Sequence, residues 1–544
     1  MKKVSRILAI ILSLVITSSL LSSCAAAKPS KQTAAEKNIP NFNATGFPIV
    51  KEPITLKFMV SKTASQEDYA NTMIWSEYEK KTNIHIDWDA VLSNNIAEKR
   101  NLVLASGQNL PDAFYRAGFG RNDPMKYGKE GLFIPLNNLI DKYAPNLKKV
   151  LNDYDAVRKS LPAPDGTIYA LPAVTDCYEN EMNQKLFINT KWLEKVGKKM
   201  PTTLDELYDV LKAFKTQDPN GNGKQDEIPF TATNTTQIFN VLKGSYGMMN
   251  KGLTHSKVDV DPATGKLRFL PITNEFREML SFLNKLYKEG LMDEEIFTMT
   301  SAKITAKASL NVLGSTADII TTQLGNYGGD FAGIPKPLKG PYKDLMYTAI
   351  RSHISTQCAV TITSTNKYPE ATMRWLDYFY SEEGGRMYFM GIEGKSYHKT
   401  ADGKYEFLPD ILSQVGNGKT FDQVVAKYVP YMGGGNPALM KGEYFYGSEM
   451  LPGQKEAADY MMPYVPKDLW GYFSYTPEEN ERIDSLEADM FKGHYDVMIP
   501  KFISGEVNVN DDAEWQKFVD AFYQMGLDEY MKIYQTARER YEKA

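Results

Sequence analysis

Apolar and polar positions alternate early in the chain in a pattern that predicts a sheet layered with helices. The stretch ITLKFMV alternates and is rich in β-forming residues, which is typical of a strand. The pattern predicts strands over 54–60, 84–88 and 112–115, with helices over 66–82 and 94–106. Strands that alternate with helices indicate parallel β-α-β units in an open α/β sheet. Ligands of such sheets lie beyond the carboxyl ends of the strands.

Later segments carry mostly helical signals. Two Thr-x-x-Glu sequences, at 203–206 and 476–479, predict capping boxes that open helices. Apolar residues recur at helical spacing over 276–287, and Gly290 ends that predicted helix. The pattern of residues 511–543 predicts terminal helices. Trp75, Trp192 and Trp375 lie within helical patterns, so we expect them in the core.

The start of the chain has the pattern of a secretory signal. Three basic side chains precede an apolar run at 7–21, and Leu-Ser-Ser-Cys follows at 21–24. The run is too short and wrongly flanked for a membrane span. The Leu-Ser-Ser-Cys sequence at 21–24 resembles the lipobox of bacterial lipoproteins. This resemblance implies a signal peptide at 1–23 and acylation of Cys24. The alternative is an ordinary signal peptide in which Cys24 is incidental.

Acylation at Cys24 would hold the protein on the extracellular face of the cell membrane. Residues 24–50 are small, polar and proline-containing, so they are predicted to form a flexible tether between the acylated cysteine and the folded body.

Composition narrows the class of protein. Removal of residues 1–23 leaves 521 residues, too many for one core, so two large lobes are expected. The formal net charge of −4 includes three cations in the signal, and acidic and basic residues are interspersed. Without a basic stripe, a nucleic-acid partner is not expected. The 33 tyrosines and 12% aromatic content suit surfaces that stack on sugar rings.

Residues 218–227 (DPNGNGKQDE) form the clearest local motif. They match the D-x-[DN]-x-[DN]-G opening of a calcium loop, in which alternate oxygens turn toward a hard cation and glycine permits the sharp turn. The twelfth position is Pro229 and not glutamate, so the loop is EF-like and not an EF-hand. We expect a structural Ca²⁺; the alternative is an Asx-rich turn without metal. The predicted ligands are Asp218, Asn220, Asn222, Lys224 through its backbone oxygen, Asp226 and Glu227.

Taken together, the lipobox, the α/β opening and this loop resemble family 1 extracellular solute-binding proteins of ABC importers. The resemblance is to the Gram-positive lipoprotein subgroup described as LipO- or YtcQ-like, and it covers roughly residues 50–543. Each matching stretch is a modest signal by itself, but the order in which the stretches occur along the chain makes the resemblance specific. The matching stretches are 104–112, 164–172, 192–197, 201–203, 218–229, 286–291, 391–394 and 501–505.

The resemblance implies an α/β, two-lobed periplasmic-binding-protein-like fold of type II, long-hinge subgroup, with the ligand cleft between the lobes. It implies an N-lobe at 50–172 plus 352–395 and a C-lobe at 175–350 plus 400–544. The implied crossings lie near 170–174, 353–362 and 395–410. Cys177 and Cys358 would flank two crossings; a hinge disulfide is one alternative, but we expect two buried free thiols.

The resemblance also implies a function. The protein would capture an oligosaccharide by lobe closure and deliver it to an ABC permease, as a monomer and without enzymatic activity. Three alternatives stay open: a receptor for a peptide or other polar solute, a sugar sensor for a membrane kinase, and a glycan-active surface enzyme.

Candidate ligand residues follow predicted strands or lie in irregular aromatic loops. Arginines beyond the third strand suit an acidic sugar through bidentate pairing, although neutral oligosaccharides fit equally well. The predicted ligand-binding residues are Tyr115, Arg116, Arg121, Tyr178, Glu179, Asn180, Asn234, Gln237, Gln323, Asn326, Tyr327, Tyr444, Tyr446 and Trp470.

Overall fold

The computed structural model describes residues 39–63, 66, 68–342, 345–414, 421–430, 435–445 and 447–544. Asn43–Ala544 form one compact unit. Of the preceding residues only 39–42 are described, so the predicted signal peptide and Cys24 lie outside the described part. Within that part, no helix has the length and apolar character needed to cross a membrane.

The described strands are β1 (Ile54–Lys62), β2 (Ile84–Leu92), β3 (Ala113–Tyr115), β4 (Leu171–Asp176), β5 (Lys185–Asn189), β6 (Thr231–Ala232), β7 (Val258–Val260), β8 (Leu267–Phe269), β9 (Ser315–Asp318), β10 (Phe331–Gly333), β11 (Ile354–Ile362), β12 (Tyr397–Lys399), β13 (Tyr405–Phe407) and β14 (Leu439–Lys441).

The described α-helices are α1 (Met73–Thr82), α2 (Ile96–Ser106), α3 (Asp123–Lys129), α4 (Asn137–Tyr143), α5 (Pro145–Asp153), α6 (Asp155–Ser160), α7 (Tyr178–Glu181), α8 (Thr190–Lys195), α9 (Leu204–Thr216), α10 (Thr235–Leu242), α11 (Asn274–Lys288), α12 (Ser301–Ser309), α13 (Pro369–Asp377), α14 (Glu382–Met390), α15 (Pro409–Leu412), α16 (Phe421–Val425), α17 (Pro452–Met461), α18 (Pro477–Glu487), α19 (Asp496–Ser504), α20 (Asp512–Gln524) and α21 (Leu527–Lys543).

The first sheet has the strand order β14-β4-β11-β3-β1-β2. Strand β1 is parallel to both β2 and β3, which confirms the predicted β-α-β units. Strand β11 is antiparallel to β3 and β4, and β14 is parallel to β4. In β1 the side chains of Leu56, Phe58 and Val60 are fully buried while Thr55 and Lys57 are exposed, as the alternation predicts.

The helix predicted over 66–82 is shorter than expected. A 3₁₀ turn covers Tyr69–Asn71, and the α-helix begins only at Met73 because Thr72 is extended at φ −68° and ψ 124°. The helix ends at Asn83, which adopts a left-handed conformation at φ 61° and donates its amide to Glu79. Such a left-handed residue is a common helix terminator.

The second sheet has the order β10-β5-β9-β6, with β5 antiparallel to its neighbours and β6 parallel to β9. Helix α9 opens where it was predicted, since the Thr203 hydroxyl accepts from the Glu206 amide at 3.1 Å. The Glu206 carboxylate, however, accepts from the amide of Thr202 at 2.7 Å and not from that of Thr203. The predicted capping box is therefore only half formed.

The second predicted capping box is complete. The Thr476 hydroxyl accepts from the Glu479 amide at 3.2 Å, and the Glu479 carboxylate accepts from the Thr476 amide at 2.8 Å. Helices α20 and α21 match the predicted terminal helices. Trp75, Trp192 and Trp375 are buried, as expected for core residues.

Strand pairing differs from the expected lobe division at one place. Near 395–410, where a crossing was expected, the chain forms the antiparallel pair β12–β13. Residues 439–441 then form β14 in the first sheet, although the division placed all of 400–544 in the C-lobe. The chain joins the core around the second sheet again at α17, where Ala458 and Met461 are buried.

Candidate ligand-binding site

The carboxyl ends of five strands meet at one edge of the first sheet. Because β1, β2, β3, β4 and β14 run in the same direction, all five end at this shared edge, at Lys62, Leu92, Tyr115, Asp176 and Lys441. The turns that follow such ends are where an open α/β sheet positions ligand contacts. We call this edge, with the turns that follow it, the carboxyl edge.

Lys185 pairs with Asp318 across β5 and β9, and its buried ammonium donates to the backbone oxygens of Met182 and Asn183 at 3.3 Å. The lysine begins β5, and its pKa responds to the charges of Glu179 after β4, of Asp318 at the end of β9, and of Glu449. Burial lowers the pKa of Lys185 to about 8 against these carboxylates, and burial raises the pKa of Asp318 to about 6. Charged groups from both sheets therefore converge in a desolvated region.

The turn after β4 contacts helix α17 through a polar cluster. Tyr178 Oη donates to Asp459 Oδ1, and Lys455 Nζ donates to Tyr178 Oη. Lys455 Nζ also lies 2.9 Å from Asp459 Oδ1 and 3.3 Å from Glu179 Oε1. Burial by itself would lower the pKa of Lys455. The hydrogen bonds to Asp459 and Tyr178 outweigh the effect of burial, so the pKa of the lysine is raised. Asn180 Nδ2 donates to Glu449 Oε1 at 3.1 Å.

A cavity of about 500 Å³ opens at the carboxyl edge. One wall carries Asp176, Tyr178, Glu179 and Lys441, which follow or end β4 and β14. The lining also includes apolar side chains that belong to, or pack against, the core around the second sheet: Ile350, Val465 and Leu469. A cleft with apolar walls and a few convergent polar groups is the usual form of a small-molecule site.

A histidine–carboxylate pair lines the same cavity. The His353 ring donates from Nδ1 to Glu181 Oε1 at 2.6 Å. Burial alone would lower the pKa of His353, but the hydrogen bond to Glu181 and the charges of Glu181 and Asp176 together outweigh burial and raise that pKa. Burial also raises the pKa of Glu181, and His353 works against that rise. Tyr154 packs edge-on against the His353 ring and donates to Asp176 at 2.6 Å.

The loop after β3 contributes less to this cavity than the sequence predicts. Tyr115 is fully buried and shares a hydrogen bond of 3.0 Å with the Tyr388 hydroxyl, so its side chain has no surface to offer a ligand. Arg116 donates to the Tyr69 hydroxyl at 3.2 Å. Arg121 lines a different cavity, where its guanidinium lies 4.7 Å from the ring centroid of Tyr475.

The predicted residues that follow the second-sheet strands do not line the carboxyl-edge cavity. Asn234 caps α10 by accepting from the Gln237 amide, and the Gln237 side chain accepts from the Thr233 amide. Gln323 Nε2 is buried and has no hydrogen-bond partner among the described residues. Asn326 is exposed, and Tyr327 packs against the hydrophobic cluster around Phe187.

The predicted stacking aromatics are mostly buried. Tyr444 is 2% exposed and donates its hydroxyl to Leu439 at 2.8 Å. Trp470 is 3% exposed and packs edge-on against His255. These two rings are core residues and not open platforms, because loops of irregular composition here fold inward. Tyr446 lies outside the described residues.

The sequence places Tyr178, Glu179 and Asn180 directly after a strand, but it does not indicate the α17 residues that contact Tyr178 and Glu179. Lys455 and Asp459 are spaced four apart, a pattern shared by many exposed helix pairs. The sequence offers no signal that this pair meets a turn nearly three hundred residues earlier. His353 and Glu181 were missed for the same reason.

The calcium-type loop folds around its carboxylates. Asp218 adopts φ 48°, and its side chain accepts from the amides of Asn222 and Gly223 at 3.1 and 3.0 Å. The Asn222 amide group donates to both Asp226 oxygens, at 3.0 and 3.1 Å, and Asn220 donates to one of them at 3.2 Å. These hydrogen bonds favour the ionised carboxylate of Asp226, and the bond from Asn222 is the largest cause of its lowered pKa.

The same loop offers oxygens that suit a hard cation. Glu227 Oε1 is buried without a hydrogen-bond partner among the described residues. Burial raises the pKa of Glu227, and the nearby charges of Asp226 and Asp218 raise it further. A divalent cation would relieve both the desolvation and the repulsion. If the side-chain amides of Asn220 and Asn222 were flipped, their oxygens would take the places of their NH₂ groups. The loop would then offer the set of oxygen ligands that Ca²⁺ prefers.

The described residues contain no group of three or more His, Cys, Asp or Glu side chains placed as a metal cluster. Cys177 and Cys358 are buried free thiols, as expected, and Cys177 donates to Glu179 Oε2 at 3.3 Å.

The sequence matches the family described as "Bacterial extracellular solute-binding protein" over residues 63–386. It is 31% identical to the fructooligosaccharide ABC transporter substrate-binding protein FusA of Streptococcus pneumoniae, over 95% of this chain and 96% of that protein. It is 27% identical to lipoprotein LipO of Bacillus subtilis, over 65% of this chain and 69% of that one.

Two solved structures of FusA are also similar to this chain in fold. The fold is similar to that of FusA in complex with kestose, with a TM-score of 0.69 and 29% identity over 90% of this chain and 100% of that one. An EF-hand mutant of FusA in complex with fructo-nystose gives a TM-score of 0.68 at the same identity and the same shares of both chains.

Proposed function

Because the chain belongs to the bacterial extracellular solute-binding protein family, with its two-domain α/β fold, we propose that it captures an oligosaccharide and delivers it to an ABC permease. The observation that carries the proposal is the cavity at the carboxyl edge, which joins polar groups after β4 and β14 to apolar side chains from the other core. Sugars need both kinds of wall, since their hydroxyls hydrogen-bond while their ring faces are apolar.

The polar cluster around α17 supplies the contacts that couple the two halves. Tyr178, Glu179 and Asn180 present hydroxyl, carboxylate and amide groups that suit sugar hydroxyls. Sugar bound to one wall adds contacts to the other, so a closed arrangement gains population in proportion to its extra affinity. We place the lobes at 50–176 with 354–441, and at 185–350 with 452–544, which assigns β14 to the first.

Fructooligosaccharides are the first ligand class to consider. The relative FusA is named for this class, and its solved structure holds kestose. The protein binds its sugar without cleaving it, in keeping with a solute-binding family. It acts as a monomer anchored through acylated Cys24 on the outer face of the cell membrane, where its tether lets the body reach the permease.

A structural Ca²⁺ holds the loop at 218–227. Its ligands are the side chains of Asp218, Asn220, Asn222, Asp226 and Glu227, with the backbone oxygen of Lys224. The support is the buried, unpartnered oxygen of Glu227 beside two other carboxylates, together with the EF-hand named for a FusA structure. The ion neutralises converging carboxylates and stiffens the turn between α9 and β6.

The test is a thermal-shift screen of the purified protein against a panel of plant and bacterial oligosaccharides, headed by kestose. A ligand that binds only the native state raises the melting temperature by mass action. A rise with one glycan class, and unchanged glycan on chromatography after incubation, is the expected result. A rise with peptides alone would replace the sugar by another polar solute, and shortened glycan products would identify an enzyme.

A further inference from the structure

The charged side chains that line the carboxyl-edge cavity are mostly acidic. Among the described residues, one lysine and one histidine line it. Four carboxylates line the same cavity: Asp176, Glu179, Glu181 and Glu443. The charge that a bound ligand meets therefore depends on which of these carboxylates already has a cationic partner.

The two buried carboxylates of the cavity are balanced. Glu181 Oε1 accepts from His353 Nδ1 at 2.6 Å, and Glu179 Oε1 lies 3.3 Å from Lys455 Nζ. Both glutamates are nearly inaccessible to solvent, and each has its cation at contact distance. These pairs leave neither a free negative charge nor a free positive charge for a ligand.

No cation of the lining is left for an acidic ligand. Lys441 Nζ lies 3.2 Å from Glu382 Oε1, and Glu382 does not line the cavity. Arg351 is close to lining residues in sequence, but it is exposed and does not line the cavity either. Arg116 and Arg121, which the sequence suggested for pairing with an acidic sugar, are also absent from this lining.

Asp176 and Glu443 are the carboxylates that remain unbalanced. Asp176 ends β4, and its Oδ2 accepts from the Tyr154 hydroxyl at 2.6 Å. The charge of Asp176 acts on His353, but among the described residues no lysine, arginine or histidine nitrogen lies within 4.0 Å of either carboxylate. Asp176 is half-buried and Glu443 is exposed, so water screens the charge of Asp176 less.

Unbalanced carboxylates favour one kind of sugar over another. A sugar hydroxyl donates to a carboxylate oxygen, and such a charge-assisted hydrogen bond is stronger than one between neutral groups. A sugar acid would instead bring a second carboxylate beside the first, with no cation for the two to share, and like charges repel. Repulsion of the wrong ligand is a common source of specificity.

We propose that the carboxyl-edge cavity selects neutral oligosaccharides and rejects uronates, and that Asp176 is the main residue that sets this preference. The inference rests on the proposed function, because it concerns the same sugar site. Asp176 accepts hydrogen bonds from a neutral sugar and repels the carboxylate of a uronate. Glu443 adds to the repulsion from a more exposed position.

The experiment is isothermal titration of the purified protein with two matched pairs of trisaccharides. One pair is kestose and kestose oxidised to carboxylates at its primary hydroxyl groups. The other pair is methyl-esterified trigalacturonate and trigalacturonate. The neutral member of at least one pair is expected to bind, and its acidic counterpart should bind about 10–100-fold more weakly, because only the charge differs within a pair.

Variants assign the preference to the two carboxylates. Asp176→Asn keeps an oxygen that accepts from Tyr154 but removes the charge, so it should narrow the ratio of neutral to acidic affinity about 10-fold. Glu443→Gln should narrow the ratio less. Asp205→Asn is the matched control, since Asp205 is an exposed aspartate on α9 that does not line the cavity. Structural damage would weaken both members of a pair equally and leave the ratio unchanged.

The proposal is overturned if a uronate binds as tightly as its neutral counterpart, or if Asp176→Asn leaves the ratio of affinities unchanged. Either result would leave the proposed function standing, because a sugar would still bind. Absence of binding by all four probes would overturn this inference together with the assignment of the cavity as a sugar site. The two failures are therefore distinguishable.

Discussion

Lys455 Nζ on α17 lies 3.3 Å from Glu179 Oε1, in the turn that follows β4. The contact joins the core around the second sheet to the carboxyl edge of the first. Glu179 is 4% exposed, so this pair is sheltered on one side, and Tyr178 and Asp459 surround the ammonium. Helix α17 is therefore the element that joins the proposed ligand-binding turn after β4 to the core around the second sheet.

Lys455→Met should destabilise the protein by about 1–3 kcal/mol, because Glu179 keeps its burial and loses its cation. The measurement is guanidinium denaturation of the unmodified protein, Lys455→Met, Glu179→Gln and the double variant. We expect a coupling energy of about 1 kcal/mol in this cycle. Lys517→Met, which removes an exposed pair with Glu514, is the control and should change stability by less than about 0.5 kcal/mol. Strict additivity of the two single changes would contradict the account.

His353→Gln should destabilise the protein most at mildly acidic pH. The pKa of His353 is higher in the folded protein than in the unfolded chain, so protonation of the ring stabilises the fold. This contribution to stability is complete below about pH 6.5, the unfolded pKa, and is lost as the pH rises through the raised folded-state pKa. We expect a loss of about 1 kcal/mol at pH 6, a value reduced for the partial exposure of the ring.

The difference between His353→Gln and the unmodified protein should shrink by pH 9 in the same denaturation assay. His85→Gln is the control, because His85 forms an exposed pair with Glu79. A deficit for His353→Gln that is equal at pH 6 and pH 9 would show that the ring acts only through packing.

The two Thr-x-x-Glu sequences should respond differently to loss of the hydroxyl. Thr476→Ala removes a bond from a complete capping box and should cost about 1 kcal/mol. Thr203→Ala should cost less, because Glu206 keeps its bonds to Thr202. Thermal unfolding of both variants beside Thr476→Ser tests this, and the serine variant should retain most of the stability. Equal losses at the two sites would be the opposing result.

Chelation should lower the melting temperature if Ca²⁺ occupies the loop at 218–227, because a native-state ligand stabilises by mass action. Asp218→Asn should reduce the response to added calcium. Asp261→Asn is the matched control, since Asp261 accepts backbone amides in another polar turn. Melting curves that are identical in chelator and in calcium would show that the loop is a hydrogen-bonded turn without a bound metal.

Local patterns predicted much of the first sheet, because β1, β2 and β3 carry their pairing information in alternation and in short crossovers. The same logic placed Tyr178 and Glu179 after a strand. It failed for β14, whose three residues carry little pattern and whose partner β4 lies far away in sequence. It also failed for Tyr115 at the end of β3 and for Tyr444 in the turn after β14, because an aromatic residue gives the same sequence signal whether its side chain faces solvent or the core.

The most direct test of the central claim combines isothermal titration with small-angle X-ray scattering of the purified protein and kestose. The account predicts saturable binding of one sugar per chain, a decrease in the radius of gyration on saturation, and intact kestose afterwards. It predicts weaker binding by Tyr178→Phe, which loses the hydroxyl at the carboxyl edge. Absence of binding by kestose and by every other oligosaccharide in the panel would contradict the claim.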